Sequence, residues 1–119
     1  KSVNDTYGHN IGDEVLREVA LCLKDFTRYH DVVARLGGEE FSVLSPNITE
    51  RQIFELAERI RRAIAQIVVN AGGVSINVTV SAGIAIWDGN ETGQALYGRA
   101  DKQLYVAKRN GRNQVCTAA

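Results

Sequence analysis

The 119-residue sequence contains no methionine and no long apolar run, and it carries no net charge. Because methionine is absent, we expect the chain to be a piece of a longer protein. No apolar stretch approaches the roughly 18 residues of a membrane-spanning helix, and no basic-then-apolar secretory leader is present. Fourteen basic residues balance fourteen acidic ones, so the overall field gives no reason to attract a polyanion such as DNA. We therefore expect a soluble, cytoplasmic piece that binds no nucleic acid; a membrane anchor elsewhere in the parent is compatible with this expectation.

Cysteine is also scarce, with only Cys22 and Cys116, far apart in the chain. Their separation matches no metal-site spacing, and we interpret both as reduced thiols of a cytosolic protein. The composition, 45% apolar and 24% charged, is that of a globular domain. At this length, folding buries about two-thirds of the surface that the unfolded chain exposes. The chain is therefore expected to form one domain with a core of its own.

The most informative stretch is Gly37-Gly38-Glu39-Glu40, a glycine pair followed by two acids. Short runs rich in β-branched and aromatic residues lie on both sides, and glycines supply the positive φ angles of a tight turn. The pattern predicts a hairpin over about residues 32–45 with an acidic tip. Taken alone, the tip has an ordinary alternative, because any hairpin needs polar residues at its turn.

Apolar residues at helical spacing predict three helices, over about residues 11–28, 49–70 and 92–109. The buried face of the first helix is expected to comprise Leu16, Val19, Ala20, Leu23 and Phe26. Thr49 and Gln52 suit a capping box at the start of the second helix. Alternation with period two predicts one long strand from Val74 to Trp87, bent at Gly83, and a last short strand is expected at about 114–117.

This order of elements predicts an α/β sandwich, in which helices cover a mostly antiparallel sheet. The nearest pattern is the split β-α-β arrangement of ferredoxin-like and palm-type folds. The pattern lacks an opening strand before the polar loop at residues 1–9. We therefore expect an N-terminally incomplete sheet.

Residues 37–41, Gly-Gly-Glu-Glu-Phe, resemble the signature of the GGDEF family of bacterial diguanylate cyclases, in the variant with glutamate at the third position. A chance match of five set letters in a chain of this length is on the order of one in tens of thousands. The flanks also agree: residues 4–13 resemble the family's loop before its first long helix, 78–83 its strand, and 100–113 its final helix and turn. The resemblance implies that two GTP molecules, one per subunit of a head-to-head homodimer, are joined into cyclic di-GMP with release of pyrophosphate.

The chemistry of this reaction explains the paired acids. Attack by a ribose 3′-hydroxyl on an α-phosphate needs divalent metal, and hard cations such as Mg²⁺ take carboxylate oxygens. The resemblance implies that Glu39 binds Mg²⁺ (or Mn²⁺) and helps to deprotonate the hydroxyl, and that Glu40 supports the metal site. Gly37 and Gly38 would let the backbone approach the nucleotide with no side chain in the way.

The same resemblance assigns substrate-binding roles to residues at both ends of the chain. Asn4 and Asp13 look like the pair that reads guanine. Lys108 and Arg112 look like the triphosphate clamp, and Lys1 would add a contact. Without the motif, Lys108 and Arg112 would equally suit a solvated helix end.

A second constellation, Arg28-x-x-Asp31, ends six positions before Gly37. This is the placement of the family's product-inhibition site, and Arg59 matches its secondary arginine. Arginine forks and a carboxylate suit the phosphates and guanines of bound cyclic di-GMP. The resemblance therefore implies allosteric feedback by the product.

One departure concerns the start of the chain. The family places a metal-binding aspartate on a strand immediately before the residue that matches Lys1, and that strand is not in this sequence. We expect residues 1–119 to be the C-terminal part of a longer protein, a GGDEF domain without its first strand, behind an unknown sensory or regulatory domain. Two alternatives stay open: a catalytically retired GGDEF module that senses GTP or cyclic di-GMP, and the palm of another nucleotidyl transferase.

Overall fold

The computed structural model describes residues 9–118 of the chain. Its elements, in order, are α1 (His9–Phe26), β1 (Val32–Gly37), β2 (Glu40–Leu44), α2 (Glu50–Ala65), β3 (Val69–Ala71), β4 (Val74–Ile76), β5 (Ala82–Ala85), α3 (Gly93–Arg109) and β6 (Val115–Ala118). This alternation of helices and strands confirms the expected α/β class. The predicted site residues Lys1 and Asn4 lie outside the described residues.

The strands of the described part form three pairs. β1 pairs with β2 and β3 pairs with β4, both antiparallel, whereas β5 and β6 are parallel. A parallel pair needs a long crossover connection. Here α3 provides that connection and packs on both strands.

The single long strand expected to begin at Val74 is wrong, because β4 and β5 are separate strands. β4 turns back onto β3 through Gly72 and Gly73, whose φ angles of +57° and +78° suit a tight hairpin turn. Directly after β4, the Asn77 side-chain amide donates a 2.6 Å hydrogen bond to the Ile67 carbonyl. The alternation of apolar and polar residues thus continues past Ile76, but the pairing of β4 with β3 ends there.

The helix ends follow local side-chain chemistry. The predicted capping box at α2 is confirmed: the Gln52 N–H donates to Thr49 Oγ1 at 3.1 Å, and the Thr49 N–H donates to Gln52 Oε1 at 3.0 Å. Thr92 caps α3 by accepting from the Ala95 N–H at 3.1 Å. α2 ends at Ala65, earlier than the apolar periodicity predicts.

The described residues divide into two compact units, residues 9–47 with 63–78 and residues 48–62 with 79–118. The buried apolar side chains of the first unit are Val15, Val19, Cys22, Leu23, Ile64, Val69 and Ile76. Those of the second unit are Leu56, Ile60, Ile84 and Ala107. Phe26, which was expected in the buried face of α1, is 38% exposed. The buried stripe of α1 is rotated toward Val15 and Cys22.

Burial raises the pKa of the Cys22 thiol, and the charge of Asp25 raises it further. Cys22 and Cys116 are both free cysteines. Among residues 9–118, no helix combines the length and the apolar character that crossing a bilayer requires.

In the second unit, the backbones of β5 and α3 approach each other at Gly83. A Cβ atom at this position would lie 2.2 Å from the Ala100 carbonyl oxygen and 2.2 Å from the Leu104 nitrogen. Gly83 is therefore required by the closeness of the helix. No bend of a long strand is involved.

Candidate functional site

The acidic turn lies between β1 and β2, and the predicted hairpin is confirmed. Gly37 and Gly38 have φ angles of +142° and +54°, values that favour glycine. A Cβ atom at either position would meet no atom of residues 9–118 within 4 Å. Among the described residues, conformation and not space therefore requires the glycine pair. Glu39 lies in the turn and Glu40 is the first residue of β2.

The two acids differ in exposure, because Glu39 is exposed and Glu40 is half-buried. Within residues 9–118, no group of three or more His, Cys, Asp or Glu side chains is placed to hold a metal ion. Proteins commonly bind Mg²⁺ through one or two carboxylates, with waters and substrate phosphates completing the coordination. The donor set of Glu39 and Glu40 fits this mode of binding.

Asp13, the predicted guanine reader, is exposed on α1. The helix begins at His9, so Asp13 lies beyond its first turn. Its carboxylate is therefore not placed as a cap of the helix end. Since Asn4 lies outside the described residues, the pairing of these two side chains stays a prediction.

The predicted triphosphate clamp lies at the C-terminal end of α3, in the second unit. Lys108 and Arg112 are both exposed. Gly111, with φ +113°, follows the helix end, and Arg112 itself has φ +65°. The Arg112 N–H donates a 3.0 Å hydrogen bond to the Ala107 carbonyl, which closes the end of the helix. The clamp residues are thus held by the last turn of α3 and by the loop after it.

The loop that carries Arg112 is anchored by Asn113. The Asn113 N–H donates to Ser81 Oγ at 3.1 Å, and its side-chain oxygen accepts from Arg61 Nη1 at 2.8 Å. Arg61 in turn pairs with Glu58 at 2.7 Å. The sequence did not predict the role of Arg61. The helical pattern of α2 does not indicate that one of its charged side chains contacts a loop 52 positions away.

The predicted product-inhibition pair, Arg28 and Asp31, closes the link between α1 and β1. Arg28 Nε and Nη2 donate to the Asp31 carboxylate at 3.1 and 2.9 Å, and the Arg28 backbone N–H donates to it at 2.8 Å. Arg28 Nη2 also donates to the Pro46 carbonyl at 2.6 Å. The Asp31 side chain is buried, whereas 42% of the Arg28 side chain is exposed. In this arrangement Asp31 orients the Arg28 side chain, and part of the Arg28 side chain is exposed to solvent.

An open depression of about 440 Å³ adjoins this pair. Its lining residues are Lys24, Thr27, Arg28, Tyr29, Asp31, Val32 and Val33. Lys24 and Arg28 supply positive charge, and Tyr29, 96% exposed, supplies an aromatic face. Arg59, the predicted secondary arginine, is exposed on α2 and belongs to the second unit, whereas Arg28 belongs to the first.

Because of the Arg28–Asp31 contact, the free energy of unfolding depends on pH in the acidic range. Burial alone would raise the pKa of Asp31, but hydrogen bonds from the Arg28 side chain and backbone outweigh it, so the pKa lies below its ordinary value. This stabilisation is complete above the unfolded-state pKa of about 3.9 and is lost as the pH falls through the lower folded value.

We therefore expect Asp31→Asn to lower the free energy of unfolding by about 1 kcal/mol near neutral pH, a modest effect because solvent screens the half-exposed Arg28. In urea titrations, the difference from the wild type should stay constant down to about pH 5 and shrink below about pH 4. An undiminished difference at pH 3 would contradict this account of the pair.

Comparison with known proteins identifies the family. The family described as "Diguanylate cyclase, GGDEF domain" matches residues 1–114, and the chain therefore belongs to the GGDEF domain family. Diguanylate cyclase A of Treponema denticola is 45% identical over 116 residues, which are 97% of this chain and 31% of that protein. The chain spans about a third or less of the length of the curated relatives it matches.

Solved structures agree in fold. The active GGEEF domain of a diguanylate cyclase from Vibrio cholerae superposes with a TM-score of 0.86 at 36% identity, over 98% of this chain and 74% of that one. The GGDEF domain of DgcB from Caulobacter crescentus, in complex with c-di-GMP, gives a TM-score of 0.91 at 34% identity, over 96% of this chain and 68% of that one. The fold class and the family are thus established, and the roles of individual residues stay predictions.

Proposed function

We propose that this chain is the catalytic domain of a diguanylate cyclase, which joins two GTP molecules into cyclic di-GMP and releases two pyrophosphates. The observation that carries this proposal is the acid pair Glu39 and Glu40 on a glycine-dependent hairpin turn, in a chain of the GGDEF family. The Vibrio cholerae domain with the same Gly-Gly-Glu-Glu-Phe motif is described as active, which supports the proposal.

The acids would act at the reacting atoms. A bound Mg²⁺ or Mn²⁺ would neutralise charge on the triphosphate. Glu39 and Glu40 would supply carboxylate ligands for it. Glu39, exposed in the turn, would also accept the proton of the attacking 3′-hydroxyl. The hydroxyl oxygen forms its bond to the α-phosphorus as pyrophosphate leaves, and a second such displacement closes the ring.

The remaining site residues would bind and orient the nucleotide. Asp13 and Asn4 would read the guanine edge, while Lys108 and Arg112 would hold the phosphates with help from Lys1. The left-handed backbone conformation of Arg112 supports this assignment. Such a conformation is unfavourable in free energy for a non-glycine residue, so the surrounding contacts must stabilise it. Loops held in this way commonly carry function.

The reaction also defines the assembly that we propose. One chain carries one acid pair, and each 3′-hydroxyl must attack the α-phosphate of the other GTP. Two copies would therefore meet through their active-site faces. We assign the chain to a longer cytoplasmic protein, because the relatives are about three times longer or more and because GTP is a cytoplasmic nucleotide. A sensory or regulatory domain would belong to the same protein.

Mass spectrometry tests the proposal directly. The intact protein is incubated with GTP and Mg²⁺, with an EDTA-treated sample as control, and the products are identified. Cyclic di-GMP should form only when the metal is present. Tight binding of GTP or cyclic di-GMP without any product would instead support the alternative, a catalytically retired sensor module.

Feedback inhibition gives a separate prediction. Arg28→Ala and Arg59→Ala should raise the concentration of cyclic di-GMP that halves synthesis by about 5- to 150-fold, which corresponds to a coupling free energy of about 1–3 kcal/mol. Basal synthesis at low product concentration should stay near that of the wild type. Arg51→Ala is the control, because Arg51 is an 88% exposed arginine on α2.

Arg59→Ala is the cleaner of the two variants, since Arg28 also closes the link between α1 and β1. Inhibition curves and isothermal titration calorimetry measure the effect. Failure of the wild-type protein to bind cyclic di-GMP would rule out the inhibitory role of Arg28, Asp31 and Arg59.

A further inference from the structure

Arg35 in β1 contacts the acidic turn directly. Its Nε donates a hydrogen bond to the Gly38 carbonyl oxygen at 3.0 Å, and its Nη2 donates to the same oxygen at 2.6 Å. One edge of the guanidinium thus meets a single acceptor across the turn. Hydrogen bonds from a charged donor are shorter and stronger than neutral ones.

The glycine pair does not by itself hold the conformation of the turn. Glycine populates positive and negative φ angles about equally, so Gly37 and Gly38 permit the turn without fixing it. Both glycines and Glu39 are exposed, and a Cβ at either glycine would meet none of the described atoms of the chain within 4 Å. The strand register also shifts between Arg35 and Gly37. The ladder is therefore interrupted where the turn begins.

The atom that Arg35 holds is the one that orients the first acid. The peptide group is planar, so the Gly38 carbonyl oxygen and the nitrogen and Cα of Glu39 lie in one plane. Fixing that oxygen restricts the direction in which the Glu39 side chain leaves the backbone. We infer that Arg35 is a positioning residue for the proposed cyclase reaction, which holds the acidic turn through the Gly38 carbonyl and so aims Glu39. This inference rests on the proposed function.

Substitution of Arg35 in the intact protein tests the inference. Arg35→Met should lower kcat for cyclic di-GMP synthesis by about ten- to a hundredfold, since small misplacements of catalytic groups have effects of this size. The KM for GTP should change by less than about threefold, because a positioning residue acts on the reacting geometry and not on uniform binding. Arg35→Lys should recover only part of kcat, because an ammonium lacks the planar fork. Arg51→Met is the matched control.

Hydrogen exchange supplies a readout that does not depend on turnover. In Arg35→Met, the peptide that spans residues 35–44 should exchange its amide hydrogens faster than in the wild type at short labelling times. Other peptides should be unchanged, because Arg35 is exposed and its loss leaves the core intact.

The two measurements separate the possible failures. Wild-type kcat together with wild-type exchange in Arg35→Met would overturn the inference. A raised KM with unchanged exchange would also overturn it, because Arg35 would then contact the nucleotide directly. If the wild-type protein makes no cyclic di-GMP, the proposed function fails, while the exchange data still decide whether Arg35 holds the turn.

Discussion

Glu39→Gln and Glu40→Gln are each expected to lower the rate of cyclic di-GMP synthesis by at least about a hundredfold. An amide keeps the shape of the side chain but removes the negative charge, so it is a poor ligand for Mg²⁺ and cannot accept the hydroxyl proton. Loss of an outer-shell partner of a metal site already costs about 10–100-fold. Loss of a direct ligand should cost more.

The fold should survive both substitutions, because Glu39 is exposed and Glu40 is only half-buried. Surface changes of this kind usually alter the free energy of unfolding by less than about 0.5 kcal/mol. Glu55→Gln is the control, since Glu55 is an exposed glutamate on α2 that pairs with Arg51.

Product formation is measured by mass spectrometry over a range of Mg²⁺ concentrations, and folding by circular dichroism. Because Glu40 is assigned mainly to metal support, Glu40→Gln should recover more activity at high Mg²⁺ than Glu39→Gln. Wild-type turnover in either variant would refute the assignment of the acid pair.

Gly83→Ala is expected to destabilise the second unit by about 3 kcal/mol or more. Overpacking usually costs about 1–3 kcal/mol when side chains can move aside. At Gly83 the added methyl would instead meet backbone atoms of α3, the Ala100 carbonyl oxygen and the Leu104 nitrogen, both at 2.2 Å. Relief would require β5 and α3 to separate, with loss of their buried contacts.

Gly98→Ala is the matched control for this substitution. Gly98 also belongs to the second unit, but a Cβ there would have no neighbour within 4 Å in the described part of the chain. Since Gly98 lies inside α3, alanine should stabilise the helix by about 0.5–1 kcal/mol. Urea denaturation should therefore show opposite shifts of the two midpoints. A shift in the same direction for both variants would contradict the close approach at Gly83.

Features that depend on residues close together in the chain were predicted correctly from the sequence. The hairpin was predicted correctly because a glycine pair between two strand-like runs indicates where the chain turns. The capping box of Thr49 and Gln52 was predicted correctly because both hydrogen bonds join residues three apart. Gly83 was singled out from the sequence for the wrong reason. A contact with α3 requires it, and that contact is invisible in the pattern of β5.

Other predictions from the sequence failed because a longer-range interaction decided the outcome. Alternation of apolar and polar residues continues past Ile76, yet the strand ends there and the Asn77 amide bonds to Ile67. The periodicity of α1 permitted a buried face that includes Phe26, but burial follows the stripe of Val15 and Cys22. The apolar periodicity of a helix predicts its buried face only to within about one residue position. The elements that pack against the helix decide which of the neighbouring faces is buried.

By itself, the sequence determined the family and the acidic turn, since both depend on residue types at short, fixed spacing. It also determined which residues are candidates for the site. Three contacts were decided only by the tertiary structure. Arg35 donates hydrogen bonds to the Gly38 carbonyl, and Asp31 is buried beneath a half-exposed Arg28. Arg61 anchors the loop of Arg112. The physical reason is that each contact depends on where a long, flexible side chain meets another group in the folded chain. Residue order alone does not specify that meeting point.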